Sequence, residues 1–362
     1  MDIEGKTIWQ QAAGEHPRDY SGVCLKWGVI LNGPGWAGKW PECAAALRED
    51  GITSKKITDL RRFSEQMQDG DLVVLRTGTS KVFGVGMVIG GYEWRHEFGD
   101  IDGWDLQHIR RVRWLWNGSA QPQNFNPYDM KLGDTTQLLD SEPVKQWIAG
   151  LQIAPELYTA PLIELPKRSS EAELSMEEIS DFLFDEGVAS ASITHLLQEI
   201  GELRRIAKWY QRSLSDQKGP SEHETVAYLV VPLLRALGWT PQRMAVEWNR
   251  VDVALFEKLP RQDATLQAVV EAKLLKSSCL SAYSQALDYS KGKSSCHRLI
   301  VTDGTRYGVY IRDQTEEFRL FAYLNLAELM QDYPIYSCKG AKDALLAMTP
   351  EWKFATSLPP SA

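Results

Sequence analysis

The sequence predicts two mixed domains: a β-rich α+β domain in front and an α/β domain behind, joined by a helical stretch. Three observations carry this reading. At 362 residues the chain exceeds what a single core ordinarily holds. Short apolar runs bounded by glycine turns fill the stretch from Val23 to Trp116. After Pro220, helical and strand patterns follow one another in α/β order.

The front domain is expected over residues 1–160. Its strands are "GVILN", "GDLVVLRTGT", "VFGVGMVIGGYEW" and "HIRRVRWLW". Helices are expected near Pro41 to Glu49 and Lys56 to Gln68, where apolar residues recur at helical spacing. A loop rich in Asn, Gln, Pro and Gly over 117–134 then leads to a short helix around Glu142 to Leu151.

Residues 161–219 read as a helical linker. Ser175 and Glu178 form a capping box and Gly187 a helix stop. A second helix starts near Ser192, with Ile193, Leu196, Ile200, Leu203, Ala207, Tyr210 and Leu214 alternating by three and four. That seam packs either on the preceding helix or on a second copy of the chain. The rear domain, 220–362, opens with a helix over Glu222 to Leu237. Strands "MAVEW", "RVDVALFE" and "LQAVVEAKLL", a helix over Leu280 to Tyr289, and strands "HRLIVTDG" and "RYGVYIR" follow as a mixed sheet.

Composition narrows the function. A hydrophobic content of 43% and a charged content of 24% are those of a globular protein. No apolar run reaches the 18 or so residues of a membrane span, so a cytoplasmic protein without membrane contact is expected. Five cysteines without a CxxC pair signal neither a disulfide framework nor a zinc site. A net charge of -8 argues against coating nucleic acid by bulk attraction.

The run "LQAVVEAKLL" carries the chemistry. Glu271 and Lys273 are two apart and so share one face of a strand. Alone, they read as a surface ion pair worth little. Asp252, 19 residues earlier between two valines, lies where a hairpin brings it beside Glu271. Two such carboxylates repel unless a cation joins them, and hard oxygen ligands suit Mg²⁺.

At these residues the sequence resembles the PD-(D/E)xK phosphodiesterases, the restriction-endonuclease-like fold. "HETVAYLVVPLLRALGW", "VDVALF", "VVEAKLL", "SQALDY" and "LIVTDGTRYGVY" stand in the order seen in type I restriction nuclease domains and Mrr-like enzymes. The resemblance spans about Pro220 to Arg312. It implies Asp252 and Glu271 as Mg²⁺ ligands, with Mn²⁺ able to substitute, the Ala272 carbonyl as a backbone ligand, and Lys273 as the water-activating group. It further implies Gln285 and Tyr289 as cleft residues of a QxxxY element, and Glu224 as an acidic position able to join the metal. No proline precedes Asp252, a departure from the commonest form of the motif.

Nine of the 13 tryptophans fall in the front domain, and Trp36, Trp40 and Trp104 lie in glycine-rich loops. The pattern from Trp27 to Trp116 resembles PUA-like β-barrels of the EVE, ASCH and YTH group, which read modified bases. That resemblance implies Trp36, Trp40, Trp94 and Trp104 as cage residues, Asp102 and Asp105 as polar readers, and Arg110 as a phosphate contact. Together the two resemblances imply a modification-dependent restriction endonuclease acting on DNA as a homodimer. Two alternatives stay open: an RNA or single-strand nuclease, and a catalytically inactive nucleic-acid-binding regulator.

Overall fold

The computed structural model describes residues 1–15, 17–168, 173–213 and 219–353. The chain divides into two compact units, Met1–Lys167 and Arg168–Ala362. Among the described residues no helix is long and apolar enough to cross a membrane.

The first unit opens with strand β1 (Ile8–Ala12), a small hairpin of β2 (Gly14–Glu15) and β3 (Arg18–Asp19), helix α1 (Ser21–Trp27) and strand β4 (Val29–Asn32). Gly28, at φ 60, ends α1 in the left-handed region that a side chain disfavours. Helices α2 (Ala44–Glu49) and α3 (Ser54–Arg61) precede β5 (Leu72–Thr77), β6 (Lys81–Trp94), β7 (His108–Asn117), β8 (Gln123–Asn124), β9 (Thr136–Leu138) and α4 (Glu142–Gly150). The sheet runs β4-β7-β6-β5-β1-β9, with β8 pairing β6. β1 is parallel to β5, and the other pairs are antiparallel.

The expected barrel is therefore not closed by a backbone ladder, since β4 and β9 end the path. Side chains span that seam instead. Gln11 Nε2 donates to the Leu31 carbonyl at 2.7 Å, and Asn32 Nδ2 to Thr136 Oγ1 at 3.1 Å. Behind them the buried Asp59 carboxylate accepts from the Thr136 and Thr135 amides at 2.8 and 3.2 Å and from Lys56 Nζ at 2.8 Å. Lys56 also donates to Asn32 Oδ1 at 2.8 Å and Thr135 Oγ1 at 3.0 Å, so the buried polar groups satisfy one another.

The second unit contains α5 (Met176–Asp185) and α6 (Ser190–Ser213). Then comes a helix built from α7 (Glu222–Thr225), a π-turn at Val226–Val230 and α8 (Val231–Ala236). The π-turn sits where Pro232, lacking an N–H, cannot bond the Tyr228 carbonyl. The Ser175–Glu178 capping box forms as expected, and Gly187 follows α5 at φ 83. A separate linker does not. Ile193, Leu196, Ile200 and Leu203 lie in one core with Val226, Leu229 and Leu233 and with the sheet. The α6 seam is thus used inside the unit, because a sheet face needs an apolar cover. Leu214 lies outside the described residues.

The sheet of this unit comprises β10 (Met244–Trp248), β11 (Val251–Phe256), β12 (Leu266–Ala272), β13 (Arg298–Thr302), β14 (Arg306–Arg312), β15 (Phe318–Asn325), β16 (Asp332–Tyr333) and β17 (Cys338–Lys339). Their order is β10-β11-β12-β13-β14-β15-β17-β16. Asn249 and Arg250, at φ 48 and 75, make the two-residue turn between β10 and β11 that suits twisted strands. Helix α9 (Tyr283–Ser290) lies between β12 and β13 in the chain, and that pair is parallel. Alternate residues feed two cores. Val253, Val270 and Ile300 join the helices α5 to α8 and α10 (Ala341–Ala347), while Ala254, Val269 and Leu299 meet α9. The result is a mixed sheet between helical layers.

Candidate metal centre

The site grows from the meeting of β11 and β12. Val253 pairs with Val270, so Asp252 and Glu271 stand opposite each other one step further along the antiparallel register. Asp252 Oδ2 accepts the Ala272 amide at 2.7 Å, which fixes this carboxylate on the backbone of the neighbouring strand. The Ala272 position thus holds Asp252 through its N–H.

Glu271 is fully buried, and neither carboxylate oxygen has a hydrogen-bond partner. Lys273 Nζ forms an ion pair with Oε1 at 3.5 Å. Burial pushes the Glu271 carboxyl up to about 8, Asp252 pushes the same way, and Lys273 opposes them. A carboxylate sealed in this manner lacks a counter-charge as strong as its burial demands.

The third acid is Glu222 rather than the expected Glu224. Carboxylate oxygens of Glu222, Asp252 and Glu271 lie within 4.8 Å of one another. Glu224 is held at the helix start, its Oε2 accepting the Ser221 amide at 2.8 Å while its own amide donates to Ser221 Oγ at 3.2 Å. That capping box draws its carboxyl below the ordinary range. The missed signal is helical phase: Glu222 precedes Val226 by one turn on the apolar stripe, whereas Glu224 shares a face with exposed Tyr228.

The oxygen-only donor set and the orphaned Glu271 oxygens fit a hard divalent cation such as Mg²⁺. Beside it, Lys273 Nζ donates to Gln285 Oε1 at 3.0 Å, and Gln285 Nε2 donates to Tyr289 Oη at 3.3 Å. Gln285 and Tyr289 are one turn apart on α9, so one helix face steers the ammonium. The structure thus brings together Asp252, Glu271, Lys273, Gln285 and Tyr289.

In the first unit two of the expected cage residues, Trp40 and Trp104, line different clefts. Trp40 is buried, its Nε1 donating to Glu65 at 2.7 Å, and it lines a cleft of about 520 Å³ with Arg48 and Arg61. Trp104 lines a different cleft of about 210 Å³. Trp94 donates to the Gly35 carbonyl at 3.0 Å and stacks on His96, and Trp36 is 48% exposed. Asp102 is buried at φ 49, and the Asp105 carbonyl accepts the Gly35 amide at 3.0 Å.

Arg110 departs from its expected role as a phosphate contact. It is buried and donates to the Phe63, Ser64 and Gly90 carbonyls at 2.7, 2.9 and 3.3 Å. The Phe63 and Ser64 carbonyls lie in the π-turn Arg62–Gln66 that follows α3, a helix end that favours a cation, and Gly90 lies in β6. Arg111 and Arg113 likewise donate to backbone carbonyls of residues 158–163.

Residues 13–137 match the family model of a domain of unknown function, DUF8426. The matched stretch runs from the residue after β1 into β9. No curated protein matches the chain.

Proposed function

We propose that the chain is a metal-dependent phosphodiesterase that cuts nucleic acid, with the reaction in its second unit and base recognition in its first. The observation that carries this reading is the carboxylate triad within 4.8 Å, one member buried without a hydrogen bond, beside a lysine. A divalent cation there would supply charge for the phosphate and a nucleophilic water at neutral pH. Glu222, Asp252 and Glu271 are the residues that would hold it. Lys273, oriented by Gln285, neutralises charge developing on the phosphate or positions the attacking water. Asp252, tied to the Ala272 amide, keeps its place whether or not its neighbours are ionised.

The finer reading is a restriction endonuclease directed to DNA with modified bases, with Mg²⁺ as the natural cation and Mn²⁺ as a substitute. The tryptophan-rich first unit supports it, since exposed and cleft-lining aromatics give flat surfaces to a base. Cutting both strands requires two sites, and hence a homodimer whose contacts lie outside the buried α6 seam.

The deciding experiment is cleavage of unmodified DNA, cytosine-modified DNA and matched RNA in Mg²⁺ by wild type and Lys273→Ala. Cutting of modified DNA alone, lost in the variant, supports the whole reading. Equal cutting of all DNAs keeps the nuclease and removes the modification preference, and cutting of RNA alone moves the substrate. No cutting, with no Mn²⁺ binding by calorimetry, overturns the enzyme.

A further inference from the structure

One cleft of the first unit combines aromatic rings with a buried arginine. It lies beside the end of β1, the turn between β5 and β6, and the loop before β9, with about 210 Å³ of space. Sites for drug-sized molecules run to roughly 300–1,000 Å³, so this one has room for a single flat ring system. Tyr20 and Trp104 line it with ring centroids 5.8 Å apart at 78°, and Gly14, Gly78 and Gly133 put no side chain into it.

Its polar wall is Arg76, only 3% exposed. Arg76 donates Nη1 to the Gly78 carbonyl and Nη2 to the Asp134 carbonyl, and its Nε has no partner. The nearby Asp134 carboxylate is taken by Lys55 and Arg62 at 3.4 and 2.6 Å. A buried guanidinium without a carboxylate is costly, and its planar donors match a ring edge that offers acceptors.

We propose that this cleft receives a nucleobase turned out of its strand, its acceptor edge toward Arg76 and its plane against the Trp104 ring. This rests on reading the first unit as a recogniser of nucleic-acid bases. It moves recognition away from the loop of Trp36 and Trp40, to a place that also accounts for the buried arginine.

The test uses the full chain in EDTA, so that no cleavage intervenes. Saturation-transfer NMR with free guanosine, cytidine, thymidine and adenosine, and fluorescence anisotropy with a labelled single-stranded oligodeoxynucleotide, are run on wild type, Trp104→Leu and Arg76→Gln. Trp104 is only partly buried, so its variant keeps the test usable if Arg76→Gln fails to fold. The expected result is binding by wild type and a loss of about tenfold or more in Trp104→Leu. Oligonucleotide binding unchanged in Trp104→Leu but lost in Trp36→Ala overturns the proposal and leaves base recognition with the other loop. Nucleoside binding that needs Trp104, without oligonucleotide binding, overturns the turned-out base and the nucleic-acid reading together, leaving a nucleoside site. Absence of both overturns the cleft as a nucleobase site.

Discussion

The Ala272 amide donates to Asp252 Oδ2 at 2.7 Å across two antiparallel strands. One backbone N–H thus ties down the acid of the neighbouring strand, while Glu271 and Lys273 on either side of it point their side chains toward each other. A site fixed on strands is more precise than one carried by loops.

Gln285 is expected to act by placing Lys273. Gln285→Leu removes the 3.0 Å hydrogen bond and lets the ammonium wander, which should lower kcat by about a hundredfold. Mn²⁺ affinity by calorimetry should change little, since Gln285 is not one of the three acids. A large loss of metal binding would contradict this role.

Glu222 and Glu224 separate cleanly. Glu222→Gln should weaken Mn²⁺ binding and cleavage, whereas Glu224→Ala removes the N3 partner of the Ser221 capping box and should lower the melting temperature only slightly. Cleavage by Glu224→Ala should stay near wild type. The reverse pattern would return the metal site to Glu224.

Glu271 sets a pH dependence. Its carboxyl is raised to about 8, so protons compete with a cation, and calorimetric Mn²⁺ affinity should climb from about pH 6 to about pH 9. In metal-free protein the sign is the opposite of the usual acidic case. Because the folded value lies above the ordinary one, the stability contribution is complete below about 4.5 and disappears as pH rises through about 8. Glu271→Gln should therefore raise the melting temperature in EDTA more at about pH 9 than at about pH 5. Equal effects at both would show that Glu271 is not held protonated.

Two neighbouring lysines of the first unit should differ sharply. Lys56→Met leaves the buried Asp59 carboxylate without its cation, a loss of about 3–5 kcal/mol. Lys55→Met removes an exposed pair with Asp134 and should cost about 0–1 kcal/mol. Urea unfolding of the two variants checks the contrast.

Elements with strong local patterns were legible. The helix from Glu222, the β10–β11 hairpin and the capping box at Ser175 follow from phase, turn residues and side-chain caps. The pairing of Asp252 with Glu271 also follows, because a hairpin separation and a period of two suffice. Non-local choices were not legible. β1 is too short and too polar at Gln10 and Gln11 to announce a strand, and its partner β5 lies some sixty residues away. The α6 seam has the same spacing whether it meets a sheet or another chain. Arg110 looks like any strand arginine until helix-end carbonyls are brought to it. The third acid was within reach, since Glu222 continues the apolar stripe and Glu224 does not.

The seam between β4 and β9 has a mechanical consequence. A barrel closed by a backbone ladder resists opening through many repeated bonds, whereas the β4 and β9 edges of this open sheet are joined through the side chains of Gln11, Asn32 and Thr136. Side-chain bonds can be exchanged for water one at a time, so the first unit has a preferred line of breathing. Amide hydrogen exchange should therefore run faster at Gln137 and Leu138 than at Val73 and Val74, which lie between two paired strands.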